Sequence, residues 1–187
     1  MPLLQIVIVS TRPTRKGPAV AAWFEQQARA FEGFDIEMVD LAEVGLPVFD
    51  EPEHPRLRKY VHPHTIRWSE TVDRADAFVF VSPEYNFSTP PSLLNAFTYL
   101  STEWAYKPAA FVSYGGISGG LRAQQDTKLT MTALRMVPIA EAVCIPMFTT
   151  RLDADGRFVS DERLDASAKA MLRELARWTA ALRQLRG

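Results

Sequence analysis

The chain has one cysteine, Cys144, so no disulfide can form within it. Its setting, AVCIPMF, is apolar and reads as a buried structural thiol rather than a reactive one. No apolar run approaches the ~18 residues of a membrane-spanning helix. The start, MPLLQIVIVS, lacks the cationic opening and small-residue cleavage site of a secretory leader, and the cytoplasm is the expected location. Basic excess is missing too. Twenty-one Lys and Arg stand against 22 Asp and Glu, a net charge of -1, so no nucleic-acid partner is expected. Around the HPH tripeptide at 62–64 no cysteine or carboxylate stands at ligand-like spacing, so no metal site is expected either.

What is present is a regular alternation over 187 residues, a length expected to make one domain spanning 1–187. LLQIVIV (3–9), AFVFVS (77–82), PAAFVSY (108–114) and IAEAVCIPM (139–147) are apolar runs of the kind found in strands covered on both faces. FDIEMVD (34–40) alternates and reads as a strand nearer a sheet edge. Between them lie segments with helical spacing at 18–31, 66–75, 91–101 and 121–137; on the third, Leu94, Phe97 and Leu100 or Ser101 share a side. A tail from Leu164 carries apolar residues at 164, 168, 171, 172, 175, 178, 182 and 185. This order predicts an open parallel α/β sheet with helices on both faces. Residues 44–66 are long, Pro-rich and irregular, and DADG (153–156) marks a turn that closes a short hairpin. Trp68 and Trp104 are expected as core or interface anchors.

In a parallel sheet the loops after the strands meet at one edge, where ligands bind. Three such loops stand out. STRPTRKG (10–17) precedes a helix and combines hydroxyls with three cations, a composition suited to a phosphate at a helix N-terminus. It is neither a Walker loop nor a Gly-x-Gly-x-x-Gly turn. SPEYNFSTPPSLLNAF (82–97) offers polar backbone and planar side chains suited to a heteroaromatic ring, with Pro83 ending the strand's ladder. SYGGISGG (113–120) has four glycines, which permit close backbone approach or positive φ. The first loop reads as an anion site ahead of a solvated turn with hydroxyl caps; the second alone does not outweigh a turn with core aromatics, and the third alone is equally a flexible turn before a helix. Together they describe one phosphate and one planar ring, a mononucleotide rather than a dinucleotide.

These stretches, with EWAYKPAAFVSYGGISGGLRA and EPEHPRLRKYVHPHT, resemble the NADPH-dependent FMN reductase family of flavodoxin-like proteins over most of residues 3 to 145. The resemblance implies a flavodoxin-like sheet of order 2-1-3-4-5, bound FMN, and a homodimer or homotetramer. It implies that Ser10, Arg12, Arg15, Lys16 and Gly17 hold the FMN phosphate. Pro83, Glu84, Tyr85 and Asn86 would line the ring, Glu84 through its backbone, and Tyr114, Gly115, Gly116 and Ser118 would cover the other side. NADPH or NADH would deliver hydride to the flavin, which would then reduce a small acceptor (free flavin, a quinone, an azo or a nitro compound) in ping-pong turnover, with no catalytic acid or base from the protein. Arg15 or another exposed cation would favour the extra phosphate of NADPH, and the 44–66 loop would pack on a neighbouring subunit. Two other classes compete: a flavin-bearing electron carrier for a protein partner, against which the near-neutral charge argues, and a non-redox nucleotide-binding module on the same fold.

Overall fold

The computed structural model describes residues 1–186. Its strands are β1 (Leu3–Ile8), β2 (Asp35–Asp40), β3 (Ala77–Pro83), β4 (Pro108–Tyr114), β5 (Val137–Pro138) and β6 (Val143–Ile145). All pair in parallel in the order β2-β1-β3-β4-β5, with β6 also on β4, as the predicted 2-1-3-4-5 topology requires. The helices are α1 (Gly17–Phe31), α2 (Leu41–Val44), α3 (Pro63–Asp73), α4 (Pro91–Thr98), α5 (Leu121–Ala133) and α6 (Glu162–Arg183).

The uninterrupted apolar strands are explained by two cores. Leu4, Ile6 and Ile8 of β1, with Val79 and Val81 of β3, face Val20 and Phe24 of α1 and Leu172 and Leu175 of α6. Val7, Phe78, Phe80 and Phe111 face the opposite side, against Trp68 of α3 and Phe97 of α4. There Trp104 lies 5.1 Å, centroid to centroid, from both Phe78 and Phe97. Trp68 and Trp104 are thus core residues, each adding an aromatic face to a wall that burial alone stabilises by roughly 1.5–3 kcal/mol per large side chain.

Several expectations are corrected. The fifth strand position is two short strands: the Val137 and Ile139 amides donate to the Lys107 and Ala109 carbonyls of β4, and the chain then leaves the sheet before rejoining at Val143. Pro83 lies inside the end of β3, paired with Tyr114, where the edge of the ladder tolerates it. Leu93, Ala96 and Phe97 form the buried side of α4, and Leu94 points outward. α6 buries Thr179 in place of Trp178, which is 40% exposed. Cys144 is half-buried, with Sγ 3.6 Å from Gln124 Oε1. The DADG turn does close a short hairpin, bridged between Leu152 and Phe158.

The 44–66 stretch is organised by its own carboxylates. Buried Glu51 accepts from the Val61 and His62 amides at 2.9 and 3.1 Å. Asp50 accepts from the Tyr99 hydroxyl at 2.8 Å and lies 3.0 Å from His64 Nε2, and the His62 and His64 rings stack with centroids 5.1 Å apart. Pro63 then opens α3 three residues before the predicted helix, as a first-turn proline can. Among the described residues no three His, Cys, Asp or Glu side chains gather as a metal site, and no helix is long and apolar enough to cross a membrane.

Candidate functional site

A cleft of about 250 Å³ opens where β1, β3 and β4 end. The first loop contributes Ser10, Arg12, Arg15 and Lys16, the second Pro83, Glu84 and Tyr85, and the third Tyr114, Gly115 and Gly116. The topology therefore brings the three loops singled out in the sequence to one place. Gly17, Asn86 and Ser118 stand behind or beside this lining.

The first loop has the chemistry of an unfilled anion site. Ser10 is 1% exposed, and its hydroxyl has no hydrogen-bond partner among the described residues. α1 starts at Gly17 with no side-chain cap and no acidic residue in its first turn, so neither its cap nor its first turn offsets the positive end of its dipole. A Cβ at Gly17 would fall on Ser10 Oγ and come within 2.8 Å of the Tyr114 hydroxyl. Arg12 and Lys16 are exposed and, among the described residues, in no ion pair. Arg15 differs. Its side chain is only 18% exposed, its Nη2 donates to Asp40 Oδ2 at 2.6 Å and its Nη1 to the Ser10 carbonyl at 2.9 Å. Bonding to Asp40 raises the Arg15 pKa further above its usual value. The expected exposed cation is thus a half-buried brace that ties the loop to β2, with its charge already balanced.

The second loop makes a tight turn. Ser88 N donates to the Tyr85 carbonyl at 3.0 Å, and Asn86 and Phe87 between them both take left-handed backbone, φ 51° and 69°. Glu84 has its side chain turned to α5: Oε2 accepts from Ser118 Oγ at 3.0 Å and the Arg122 amide at 3.1 Å, and Oε1 from Arg122 Nε at 2.8 Å. Burial opposes its ionisation, yet the Arg122 guanidinium, the Ser118 hydroxyl and the Ala123 amide hold its pKa below the usual carboxylate value. Its backbone is what remains for the cleft. Ser118 likewise braces the loops instead of covering the cleft.

The glycines of the third loop divide into two kinds. Gly119 and Gly120 have positive φ, and a Cβ on either would meet backbone within 2.9 Å, so the turn itself requires them. A Cβ at Gly116 would meet nothing within 4 Å, so packing within this chain does not account for that glycine in the cleft wall. Tyr114 is buried, which pushes its phenol pKa up to about 12 and keeps it a neutral donor. Phe148 also lines the cleft, its ring 5.0 Å from Tyr114, and was not anticipated. It follows Ile145 at the end of β6, and its amide donates to the Gly115 carbonyl, a contact no sequence spacing announces.

A buried orphan hydroxyl, two unpaired cations, an uncapped helix start and an open glycine wall match the donor set of a phosphate beside a flat ring. A larger groove of about 720 Å³ lies between α2 and α4, but it is chiefly apolar, and its Asn95 amide is already bonded to Phe49 N and the Pro47 carbonyl.

Comparison with known proteins gives the same direction. The family described as NADPH-dependent FMN reductase matches residues 2–150. The chain is 36% identical over 148 residues to an NAD(P)H-dependent FMN reductase of Schizosaccharomyces pombe, covering 78% of this chain and 74% of that protein. It is 33% identical over 158 residues to a probable NADPH:quinone oxidoreductase of Oryza sativa, covering 81% and 78%. Among solved structures it resembles FerB, a flavoenzyme NAD(P)H:(acceptor) oxidoreductase from Paracoccus denitrificans, with a TM-score of 0.76 and 21% identity over 97% of this chain and 98% of that one.

Proposed function

The chain belongs to the NADPH-dependent FMN reductase family, and from that premise we propose which of its residues hold the cofactor and what surrounds the reaction. It is an NAD(P)H-dependent flavin oxidoreductase, in which bound FMN supplies the two-electron relay from NAD(P)H to a small acceptor in ping-pong turnover. Ser10 Oγ, Arg12, Lys16 and the start of α1 at Gly17 hold the phosphate, with Arg15 fixing the loop from behind. The backbone of Pro83 to Asn86 meets the edge of the ring. Tyr114, Gly115, Gly116 and Phe148 close the other side, and Ser118 keeps the two loops together. No side chain is assigned as acid or base, because the carboxylate nearest the cleft, Glu84, is bonded to α5. We further place the protein in the cytoplasm as one domain in a homodimer or homotetramer, acting on free flavin, quinone, azo or nitro acceptors.

The observation that carries this reading is the buried, unpartnered Ser10 hydroxyl beside two unpaired cations. Titration of the flavin-free protein with FMN and with riboflavin, followed by flavin fluorescence, tests it. FMN is expected to bind far more tightly than riboflavin. Arg12→Ala should weaken FMN about ten- to a hundredfold, the worth of a charge-assisted hydrogen bond, and leave riboflavin nearly unchanged. Equal losses for both ligands would remove the phosphate from this loop.

A further inference from the structure

We propose that Asp126 and Arg122, on α5 and outside the cleft, are positioning residues that hold the turn at 85–88 in the strained shape that receives the flavin ring. The inference rests on the flavin reading above.

The turn's own closing bond, from Ser88 N to the Tyr85 carbonyl, does not relieve the strain at its centre. Asparagine is among the few non-glycine residues that tolerate left-handed backbone, as Asn86 does; Phe87, at φ 69°, is not, and glycine is the residue that position favours. Phe87 gains little from burial either, being 64% exposed. Its partner is Arg122, whose guanidinium carbon lies 3.7 Å from the ring centroid. The same Arg122 side chain donates to Glu84, immediately before the turn. At its last residue and the one after, one oxygen of Asp126 accepts three hydrogen bonds: Ser88 Oγ at 2.7 Å, Thr89 N at 2.9 Å and Thr89 Oγ1 at 2.9 Å. α5 therefore grips the segment before, in and after its strained centre. None of these bonds serves the helix itself, since each reaches 37 or 38 residues back along the chain. A strained turn fixed by a neighbouring helix is a pre-organised one, and here it carries the backbone assigned to the ring edge.

The effect is distinct from that of the phosphate loop. Asp126→Ala should weaken FMN and riboflavin by the same factor, about tenfold, because both carry the ring. The visible absorption band of bound flavin should change shape with it. In the flavin-free protein, amide exchange at Ser88 and Thr89 should quicken about tenfold, while α1 amides stay protected. Asp126→Asn, which keeps an acceptor oxygen, should recover most of the loss. Phe87→Gly added to Asp126→Ala should restore slow exchange and flavin affinity, because glycine removes the strain that the carboxylate offsets. Failure of the wild-type protein to bind either flavin overturns the functional reading and this proposal together. Wild-type affinity for both flavins in Asp126→Ala, with only a lower melting temperature, overturns this proposal alone and leaves Asp126 a structural brace.

Discussion

A hydroxyl buried to 1% exposure and bonded to nothing leaves a desolvation cost of about 1–3 kcal/mol unrecovered in the folded chain. Ser10→Ala removes that cost and loses only the influence of the Ser10 hydroxyl on the neighbouring Tyr114 phenol, whose pKa it lowers. The flavin-free variant should therefore melt higher, by a few degrees, at ~2–4 °C per kcal/mol for a chain of this size. Its affinity for FMN should fall about tenfold, since the phosphate loses a donor. Scanning calorimetry beside flavin titration reads both signs at once, and a higher melting temperature with unchanged FMN affinity would take Ser10 out of the site. The sequence brings Ser10, Arg12 and Lys16 forward because hydroxyls and cations are concentrated between a strand and a helix, and the structure places all three in one cleft. Arg15 was not legible as a brace. Its partner Asp40 is 25 residues away, and only the strand register that sets the end of β1 beside the end of β2 makes them neighbours.

Glu84 shows how an element is held by another. Its carboxylate pKa is lowered from the ordinary 4.5 in the folded state, so its ties to α5 contribute fully above that value and are lost as pH falls through the lower folded value. Glu84→Gln carries no charge at any pH. Its stability should fall less steeply on acidification than that of the wild type, so that the two curves converge at low pH; thermal melts across roughly pH 3 to 7 measure this. Parallel curves would mean that the Arg122 pairing adds nothing to folding. β1, β3, β4 and α1 were readable because each has a continuous apolar run or a single apolar stripe. On α4 and just beyond it the sequence places Phe97 and Leu100 on the buried side correctly and Leu94 wrongly: PSLLNAF is apolar on most sides, and packing beside Phe80 and Phe97 takes Leu93 instead. The split between β5 and β6 was hidden for a related reason, since Ile139, Ala140 and Ala142 keep the run largely apolar across the gap between Pro138 and Val143. Asp126 was invisible as well, because a single helical carboxylate reads as solvated until the loop that it grips is placed beside it.

At the scale of the molecule, the strand order reverses between β1 and β3, so the loops after them diverge and leave the crevice in which the cleft lies. The same divergence opens the larger groove on the far side of the first loop, where Thr11, Leu46, Val48 and Leu94 are neighbours. Val48 is 86% exposed and Leu94 46%, so this is the apolar surface that a monomer would leave wet. A net charge of -1 does little to keep copies apart. We assign this groove to the proposed contact between subunits. Leu94 sits in the first turns of α4, where an acidic residue suits the helix dipole, so Leu94→Asp should fold normally while placing a charge in the contact. Sedimentation should show the wild type at twice or four times the 21.0 kDa chain mass and Leu94→Asp at the chain mass. Every residue assigned to FMN comes from one chain, so the separated subunit should keep its FMN affinity within about tenfold, a difference of at most ~1.4 kcal/mol. A variant with the wild-type mass would put the subunit contact elsewhere. A larger loss of FMN with the subunits apart would mean that the second copy completes the cleft.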